Sequence, residues 1–413
     1  MALTFLEASD SGRFHYASRM PSSDLSDAAA LAHSERLRDL IRAQIAEARG
    51  AIPFSRFMEL ALYAPGLGYY SAGATKFGAA GDFVTAPELG PLFAECVAEA
   101  LAPPIREIGE DAAFVEIGGG SGAFAEAAIK HLMAIDAMPA RYAILEPSAD
   151  LRERQRERLQ RRLTPPVFDR VSWLEGPIHS RWNGVLFANE VIDALPTPRF
   201  AIRDGEVFEE HVALEADGRF VRTDRPADAL LTAAVRHVER QLPAPFAEGY
   251  RSEALPQLPY WLQAVAGGLD SGALLFVDYG HPRAEYYAPG RSDGTLRAFH
   301  RHQLADDVYA RVGLQDLTAS VDFTALAEAG TSAGFEFAGY CSQASFLIGN
   351  GLDRRLAEHE ERAADEAARY ALRQQVKQLT LPDAMGERFQ AMGFARGVEF
   401  GAAFLAGDLS FRL

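Results

Sequence analysis

The amino-acid sequence predicts an α/β fold in which helices cover both faces of a mostly parallel sheet. From residue 113 onward, short apolar runs alternate with amphipathic stretches, as is typical of this fold class. A glycine-rich turn joins the first apolar run to its amphipathic stretch, and polar side chains directly follow several other runs. The predicted strands are 113–117, 142–146, 170–174, 184–188 and 273–278, and the predicted helices include 122–135 and 149–162.

The same pattern divides the chain into three predicted parts. These are an N-terminal helical region at 1–110, a sheet-containing core at 111–350 with an insertion at about 199–265, and a C-terminal helical region at 351–413. A glycine-rich loop with aromatic residues lies at 76–88, and long loops of this kind are usually functional. Asp204-Gly205 and Asp217-Gly218 are typical of hairpin turns, so the insertion is expected to begin with antiparallel strands.

Composition narrows the classes of function. The net charge of −16, from 41 basic and 57 acidic residues, argues against nucleic-acid binding, which requires neutralisation of phosphates. No apolar run is long enough to cross a membrane, so no membrane insertion is expected. The only cysteines, Cys96 and Cys341, suit a reducing compartment and predict a cytoplasmic protein. His300 and His302 lack a nearby acid or cysteine cluster, so no metal site is predicted.

The glycine-rich turn predicts a cofactor site. Gly118, Gly120 and Gly122 allow positive φ angles and close approach of a ligand, and the helix that follows offers free N–H groups. Gly118, Gly120 and Ala123 also satisfy the relaxed pattern of dinucleotide-binding folds, and such a turn can exist for packing alone. The pattern Glu116-x-Gly118-x-Gly120-x-Gly122 instead resembles motif I of class I S-adenosylmethionine (SAM) methyltransferases. The acid two residues before the first glycine favours SAM, because carboxylates near the turn suit its amine and sulfonium.

Carboxylates follow two further predicted strands. Glu146 ends the second strand, where an acid can accept hydrogen bonds from ribose hydroxyls of either NAD or SAM. Asn189, Glu190 and Asp193 follow the fourth strand and are expected to face the ligand crevice. A carboxylate there could hold a guanidinium by two hydrogen bonds and position its nitrogen for methylation. Alternatively, Glu190 and Asp193 could simply cap a following helix.

Several motifs in register resemble one family. They are GYY at 68–70, GDFVTAPE at 81–88, VEIGGGSG at 115–122, NEVIDALP at 189–196, DYGH at 278–281, RAF at 297–299 and DLTASVDF at 316–323. Together they resemble the MidA-like SAM-dependent methyltransferases, a family that includes a mitochondrial complex I assembly factor making symmetric dimethylarginine. This chain departs from many members at Gly119, where proline is common, and at Ala86, where serine is common.

The resemblance implies a class I methyltransferase core that binds SAM. It implies that Gly118, Gly120, Gly122, Glu116, Glu146 and Asn189 hold the cofactor, that Gly81, Asp82 and Phe83 cover it, and that Glu190, Asn189 and Asp193 form the catalytic acceptor site. The expected function is protein arginine methylation, with a respiratory complex I subunit or similar protein as substrate, and a homodimer is a further expectation. The alternatives are an NAD(P)-dependent oxidoreductase and a non-catalytic SAM-binding assembly factor.

Overall fold

The structure is a computed structural model that describes residues 24–71, 85–300 and 303–413. The strands are β1 (Ala51–Pro53), β2 (Ala113–Ile117), β3 (Arg141–Leu145), β4 (Val171–Leu174), β5 (Trp182–Asn189), β6 (Arg199–Arg203), β7 (Glu206–Leu214), β8 (Phe220–Pro226), β9 (Arg251–Glu253), β10 (Leu269–His281), β11 (Arg297–His300), β12 (Gln303–Ala305), β13 (Asp316–Thr318), β14 (Val321–Asp322), β15 (Glu336–Ser342) and β16 (Phe389–Arg396). The α-helices are α1 (Asp24–Glu47), α2 (Phe54–Tyr63), α3 (Ala86–Leu89), α4 (Leu92–Ile108), α5 (Ala123–Ala134), α6 (Ala149–Arg162), α7 (Pro165–Phe168), α8 (Ala229–Gln241), α9 (Leu258–Ala266), α10 (Arg283–Tyr286), α11 (Phe323–Ser332), α12 (Gln343–Gly349), α13 (Leu352–Arg362) and α14 (Glu366–Thr380).

The main sheet has the strand order β15-β16-β10-β5-β2-β3-β4. Strands β4, β3, β2, β5 and β10 run parallel, β16 is antiparallel to β10, and β15 is antiparallel to β16. The chain proceeds from β2 outward to β4 and then returns to β5 on the other side of β2. In such sheets the crevice at this reversal binds ligands beyond the carboxyl ends of the strands. The predicted α/β fold with a mostly parallel sheet is confirmed.

The residues of β2 show how the sheet is buried on both faces. Phe114 packs into the core on one face, while Val115 and Ile117 pack into the core on the other. Because side chains of a strand alternate between faces, a strand between two helical layers needs apolar residues at both. Glu116 interrupts this apolar run and is also buried, so its carboxyl group calls for a specific partner.

A second sheet belongs mainly to the predicted insertion. Strand β7 pairs antiparallel with β6 and β8, and β6 pairs with β9. The turn between β6 and β7 contains Asp204 and Gly205, both with positive φ, in agreement with the hairpin prediction. Strand β1 of the N-terminal region pairs with residues 211–213 of β7, on the edge opposite β8, which joins the N-terminal region to the insertion.

The expected helical character of residues 351–413 needs a correction. Residues 389–396 form β16, which lies between β10 and β15 in the main sheet. All but the last residue of β16 are buried, so the strand lacks the apolar–polar alternation that marks a half-exposed strand. The division of the chain into three parts stays a prediction, and the C-terminal part supplies an interior strand of the core sheet.

Candidate active site

A cavity of about 480 Å³ opens at the carboxyl ends of β2, β3 and β5, at the reversal of strand order. Most of the site residues predicted from sequence line it: Glu116, Gly118, Gly120, Glu146, Asn189, Glu190 and Asp193. Gly122 does not line the cavity. Gly81, Asp82 and Phe83 lie outside the described residues, so their expected role as a cover stays a prediction.

The glycine turn after β2 needs its glycines for different reasons. Gly118, Gly120 and Gly122 have φ angles of 71°, 51° and 78°, in the left-handed region that favours glycine. A Cβ on Gly118 would also lie 3.0 Å from the Val191 side chain. Gly122 precedes α5 and packs on Gln155, so its role is to form the turn. Gly119 has ordinary backbone angles, but a Cβ there would lie 2.8 Å from Ile144 Cγ2.

Gln155 fixes the cofactor turn to the end of β3, a role that the sequence did not indicate. It is fully buried in α6, and its Nε2 donates to the carbonyl of Gly120 at 2.9 Å and to Glu146 Oε2 at 3.3 Å. Its Oε1 accepts from Trp173 Nε1 at 2.9 Å. Glu146 also accepts from the Ser148 amide at 3.0 Å. The helix around Gln155 is rich in arginine and glutamate, so a buried polar residue is hard to recognise there.

Glu116 places a carboxyl group beneath the glycine turn. Its side chain accepts a hydrogen bond from the Tyr142 hydroxyl at 2.7 Å. Burial raises the pKa of Glu116 to about 8, against the effect of the Tyr142 hydrogen bond, and nearby Glu146 raises it further. A cation in the cavity would lower this pKa by favouring the carboxylate, so the site suits a ligand that bears an amine.

Glu190 projects from a strained position directly after β5. Its φ angle of 52° is unusual for a residue with a side chain, and such strain is characteristic of functional sites. The amide of Glu190 donates to the carbonyl of Val277 at 2.9 Å, and its carboxylate accepts from Asn189 Nδ2 at 2.9 Å and from the Ala86 amide. Burial raises the pKa of Glu190 to about 8, and the charges of Asp193 and Asp316 raise it further.

Asp278, near the carboxyl end of β10, holds the segment that carries Glu190 and Asp193. Its Oδ2 accepts from the amides of Val191, Ile192 and Asp193 at 3.3, 3.0 and 3.3 Å, and its Oδ1 accepts from the amide of Tyr279 at 2.9 Å. Residues 190–198 form bends and turns rather than a helix. The alternative in which Glu190 and Asp193 cap a following helix is therefore wrong.

Residues distant in sequence complete the acceptor end of the cavity, and the predicted set lacked them. The Tyr70 hydroxyl lies 3.1 and 3.0 Å from the two carboxylate oxygens of buried Asp316. Tyr63 stacks on Tyr70 with ring centroids 5.5 Å apart, and Tyr279 donates a hydrogen bond to Asp193. Burial raises the pKa of Asp193 to about 6. Tyr70 and Asp316 lie in two of the motifs that the chain shares with the MidA-like family, GYY at 68–70 and DLTASVDF at 316–323. Those motifs were the sequence signal that could have identified them as site residues.

Helix α3 connects the two ends of the cavity. Glu88 accepts a hydrogen bond from Ser121 Oγ in the glycine turn, and Arg158 donates to the same hydroxyl at 3.2 Å. Two residues earlier, the Ala86 amide donates to Glu190. The short helix thus contacts the cofactor turn at one end and the acceptor carboxylate at the other.

Comparisons with known proteins agree with this geometry. Residues 96–341 match the model of a family described as "Putative S-adenosyl-L-methionine-dependent methyltransferase". A crystal structure of a Burkholderia thailandensis protein bound to S-adenosyl-homocysteine has a TM-score of 0.86 and 40% identity, covering 96% of this chain and 100% of that chain. A native structure from the same organism has a TM-score of 0.83 and 39% identity, with the same coverage.

Curated relatives have names that describe their activity. Protein arginine methyltransferase NDUFAF7, mitochondrial, from Danio rerio is 30% identical over 377 residues, which cover 83% of each chain. The Homo sapiens protein of the same name is 27% identical over 369 residues, covering 82% of this chain and 79% of that protein.

The fold and the cavity therefore define a methyltransferase that uses SAM as its cofactor. This chain belongs to the SAM-dependent methyltransferase family whose model it matches over residues 96–341, and the MidA-like resemblance is confirmed. The predicted class I fold and the predicted cofactor are confirmed with it. The NAD(P)-dependent oxidoreductase and the non-catalytic assembly factor are set aside in favour of the methyltransferase.

The expectation of a cytoplasmic protein is wrong, because the curated relatives are named as mitochondrial proteins. Cys96 and Cys341 are both buried as free thiols, and this does not distinguish one compartment from another. Within the described ranges, no helix is both long enough and apolar enough to span a membrane.

Proposed function

We propose that this protein methylates the guanidinium of arginine in a protein substrate. The observation that supports this most strongly is the convergence of three carboxyl groups, Glu190, Asp193 and Asp316, at one end of the cofactor cavity. A planar guanidinium with five N–H donors matches such a set better than the compact ammonium of lysine does. The names of the curated relatives agree with an arginine substrate.

The residues at the other end of the cavity fit SAM. The left-handed backbone at Gly118 and Gly120 leaves room for close approach, Glu146 would accept the ribose hydroxyls, and Glu116 would face the amine. Asn189 Oδ1 is buried and has no hydrogen-bond partner among the described residues, so it offers an acceptor to a ligand. When bound, SAM supplies an electrophilic methyl group on a sulfonium.

Glu190 would position the acceptor and take a proton. A guanidinium that enters lowers the raised pKa values of Glu190 and Asp193, because an opposite charge favours the carboxylate. Glu190 would then hold the guanidinium plane by hydrogen bonds and receive the proton that the methylated nitrogen releases. Asn189 and Ala86 keep this carboxylate in place through the two hydrogen bonds that they donate to it. Asp193 would supply a second negative charge beside the positively charged guanidinium.

The Glu190→Gln variant tests this proposal, with exposed Glu206→Gln in the insertion hairpin as the matched control. We expect Glu190→Gln to bind S-adenosyl-homocysteine like the wild type by calorimetry. We expect it to lose about a hundredfold or more of methyl transfer to arginine, because it loses the base and the charge. The assay uses radiolabelled SAM, an extract of cells that lack the protein, and mass spectrometry of the labelled residue. Labelling of residues other than arginine, or full activity of Glu190→Gln, would refute the proposal.

We further propose a respiratory complex I subunit as the acceptor, which rests on the MidA-like resemblance and on the NDUFAF7 relatives. Mass spectrometry of arginine methylation in complex I subunits, from cells with and without this protein, tests it. Identical methylation in both would exclude such a subunit. The expected homodimer stays a prediction, and light scattering of the purified protein would test it.

A further inference from the structure

A second cavity of about 490 Å³ lies beside the candidate active site. Its walls come from the segment after β5, from α8 and α9, and from the region of α10 and α11. Most of the residues that line it are apolar, and Leu230 at its edge is 44% exposed. A concave site lined mainly by apolar side chains suits an apolar group of a ligand or partner.

The two cavities share their dividing walls. In the segment after β5, Glu190 and Asp193 line the active site while Ile192 between them lines the second cavity. In α9, Trp261 lines the active site and Leu258 lines the second cavity. The amide of Ala319, another residue of the second cavity, donates to the carbonyl of Asp193 at 2.9 Å. The second cavity therefore lies on the other side of the wall that carries Glu190.

The polar groups of the second cavity are acidic on balance. Arg283 is buried and engaged by two carboxylates, with Nε 3.1 Å from Asp322 and Nη1 2.7 Å from Glu328. Burial works against ionisation of Glu328, but hydrogen bonds from Arg283 lower its pKa to about 2, so it is charged at neutral pH. Arg283 thus faces two carboxylates, and a third acid of the cavity, Glu253, pairs with Arg199 outside it. Glu328 remains partly exposed at the edge of the cavity. This charge favours a basic residue next to an apolar one in the bound partner.

We propose that the second cavity binds an apolar side chain of the acceptor protein, from the segment that adjoins the methylated arginine and carries a further basic residue. This inference rests on the proposed function, because it takes the acceptor to be a protein that places an arginine at Glu190. The cavity would then select among arginines by the residues around them. It would also hold the acceptor segment against the wall that carries Glu190.

The Ala233→Trp variant tests the proposal, with Ala229→Trp as its matched control. Both alanines are exposed on α8, but only Ala233 lines the cavity, so only the first substitution fills it. The probes are short peptides with one central arginine in a background of glycine, serine and lysine. A single phenylalanine is moved along the peptide, and an alanine peptide serves as reference. Binding to the protein saturated with S-adenosyl-homocysteine is measured by fluorescence anisotropy, and methyl transfer is measured with radiolabelled SAM.

We expect one phenylalanine position to improve both binding and kcat/KM by about tenfold over the alanine peptide in the wild type and in Ala229→Trp. In Ala233→Trp this gain is lost, whereas the alanine peptide reacts as before. Exchange of the lysine beside the phenylalanine for glutamate should weaken binding by about threefold.

The outcomes separate this inference from the proposed function. Phenylalanine-dependent binding that Ala233→Trp abolishes, without methylation of any peptide, would support the docking cavity and contradict arginine transfer. Methylation of all peptides at equal rates would support arginine transfer and overturn the docking cavity. A gain that survives in Ala233→Trp would overturn it as well, as would a change of oligomeric state in Ala233→Trp with no change in peptide preference.

Discussion

The two ends of the active-site cavity are built by different means. The cofactor end rests on the backbone of one continuous turn, in which Gly118 and Gly120 adopt left-handed angles. The acceptor end rests on buried side chains from distant parts of the chain, among them Tyr70, Glu190 and Asp316. Substitutions at the cofactor end should therefore act through backbone geometry. Substitutions at the acceptor end should act through charge and hydrogen bonding.

The largest effect is expected for Asp278→Ala, which removes the support of the acceptor end. Its carboxylate accepts hydrogen bonds from four backbone amides, and their loss leaves buried donors unsatisfied. We expect the free energy of unfolding to fall by about 3 kcal/mol in urea titrations. Methyl transfer should fall about a hundredfold or more, and affinity for S-adenosyl-homocysteine by less than about tenfold.

Asp270→Ala is the control on the same strand, because Asp270 forms an exposed ion pair with Arg181. Loss of such a surface pair should lower the free energy of unfolding by about 0.5 kcal/mol or less. If Asp278→Ala weakened cofactor binding as much as methyl transfer, the two ends of the cavity would not be separable in this way.

Gly118→Ala should produce the next largest effect, now at the cofactor end. A side chain in the left-handed region costs about 1–2 kcal/mol, and the new Cβ would lie 3.0 Å from Val191. We expect affinity for S-adenosyl-homocysteine, measured by calorimetry, to fall by about thirtyfold. Gly109→Ala is the control, because Gly109 has a φ of 81° and open space around its Cβ position. It should lose stability but keep its affinity, and equal losses of affinity in both variants would contradict a local effect.

Tyr70→Phe should have a smaller effect, confined to the acceptor end. The substitution removes the hydroxyl that contacts both oxygens of Asp316 and keeps the ring that stacks on Tyr63. A hydrogen bond to a charged group contributes about 1.5–3 kcal/mol, so we expect kcat/KM for methyl transfer to fall by about tenfold. Cofactor affinity should not change. Tyr260→Phe, at an exposed position of α9, should match the wild type, and a comparable loss there would count against a specific role for Tyr70.

The contrast between the cofactor end and the acceptor end also explains which parts of the site could be predicted from the sequence. The cofactor end was predictable because its residues are consecutive or follow successive strands, as Gly118, Gly120 and Glu146 do. Tyr70 and Asp316 come together only through the tertiary fold, and no spacing rule connects positions so far apart. Gln155 was not predicted because its burial follows from the packing of α6 on the glycine turn. Strand β16 was not predicted because it is buried on both faces and so lacks alternation.

The smallest expected effect is a pH dependence that differs between the two ends. Glu116 and Glu190 both have a pKa of about 8, raised chiefly by burial. Guanidinium binding needs Glu190 as a carboxylate, so kcat/KM for methyl transfer should rise as the pH increases toward 8. With a pKa of about 8, the ionised fraction of Glu190 increases about fivefold between pH 7 and pH 8. The arginine itself stays charged throughout this range.

A Glu116→Gln variant should keep this pH profile of kcat/KM. It should lose the pH dependence of S-adenosyl-homocysteine binding, which calorimetry at several pH values measures. A flat kcat/KM profile in the wild type would mean that Glu190 is already ionised at pH 7 in the free protein, which would contradict a pKa raised to about 8.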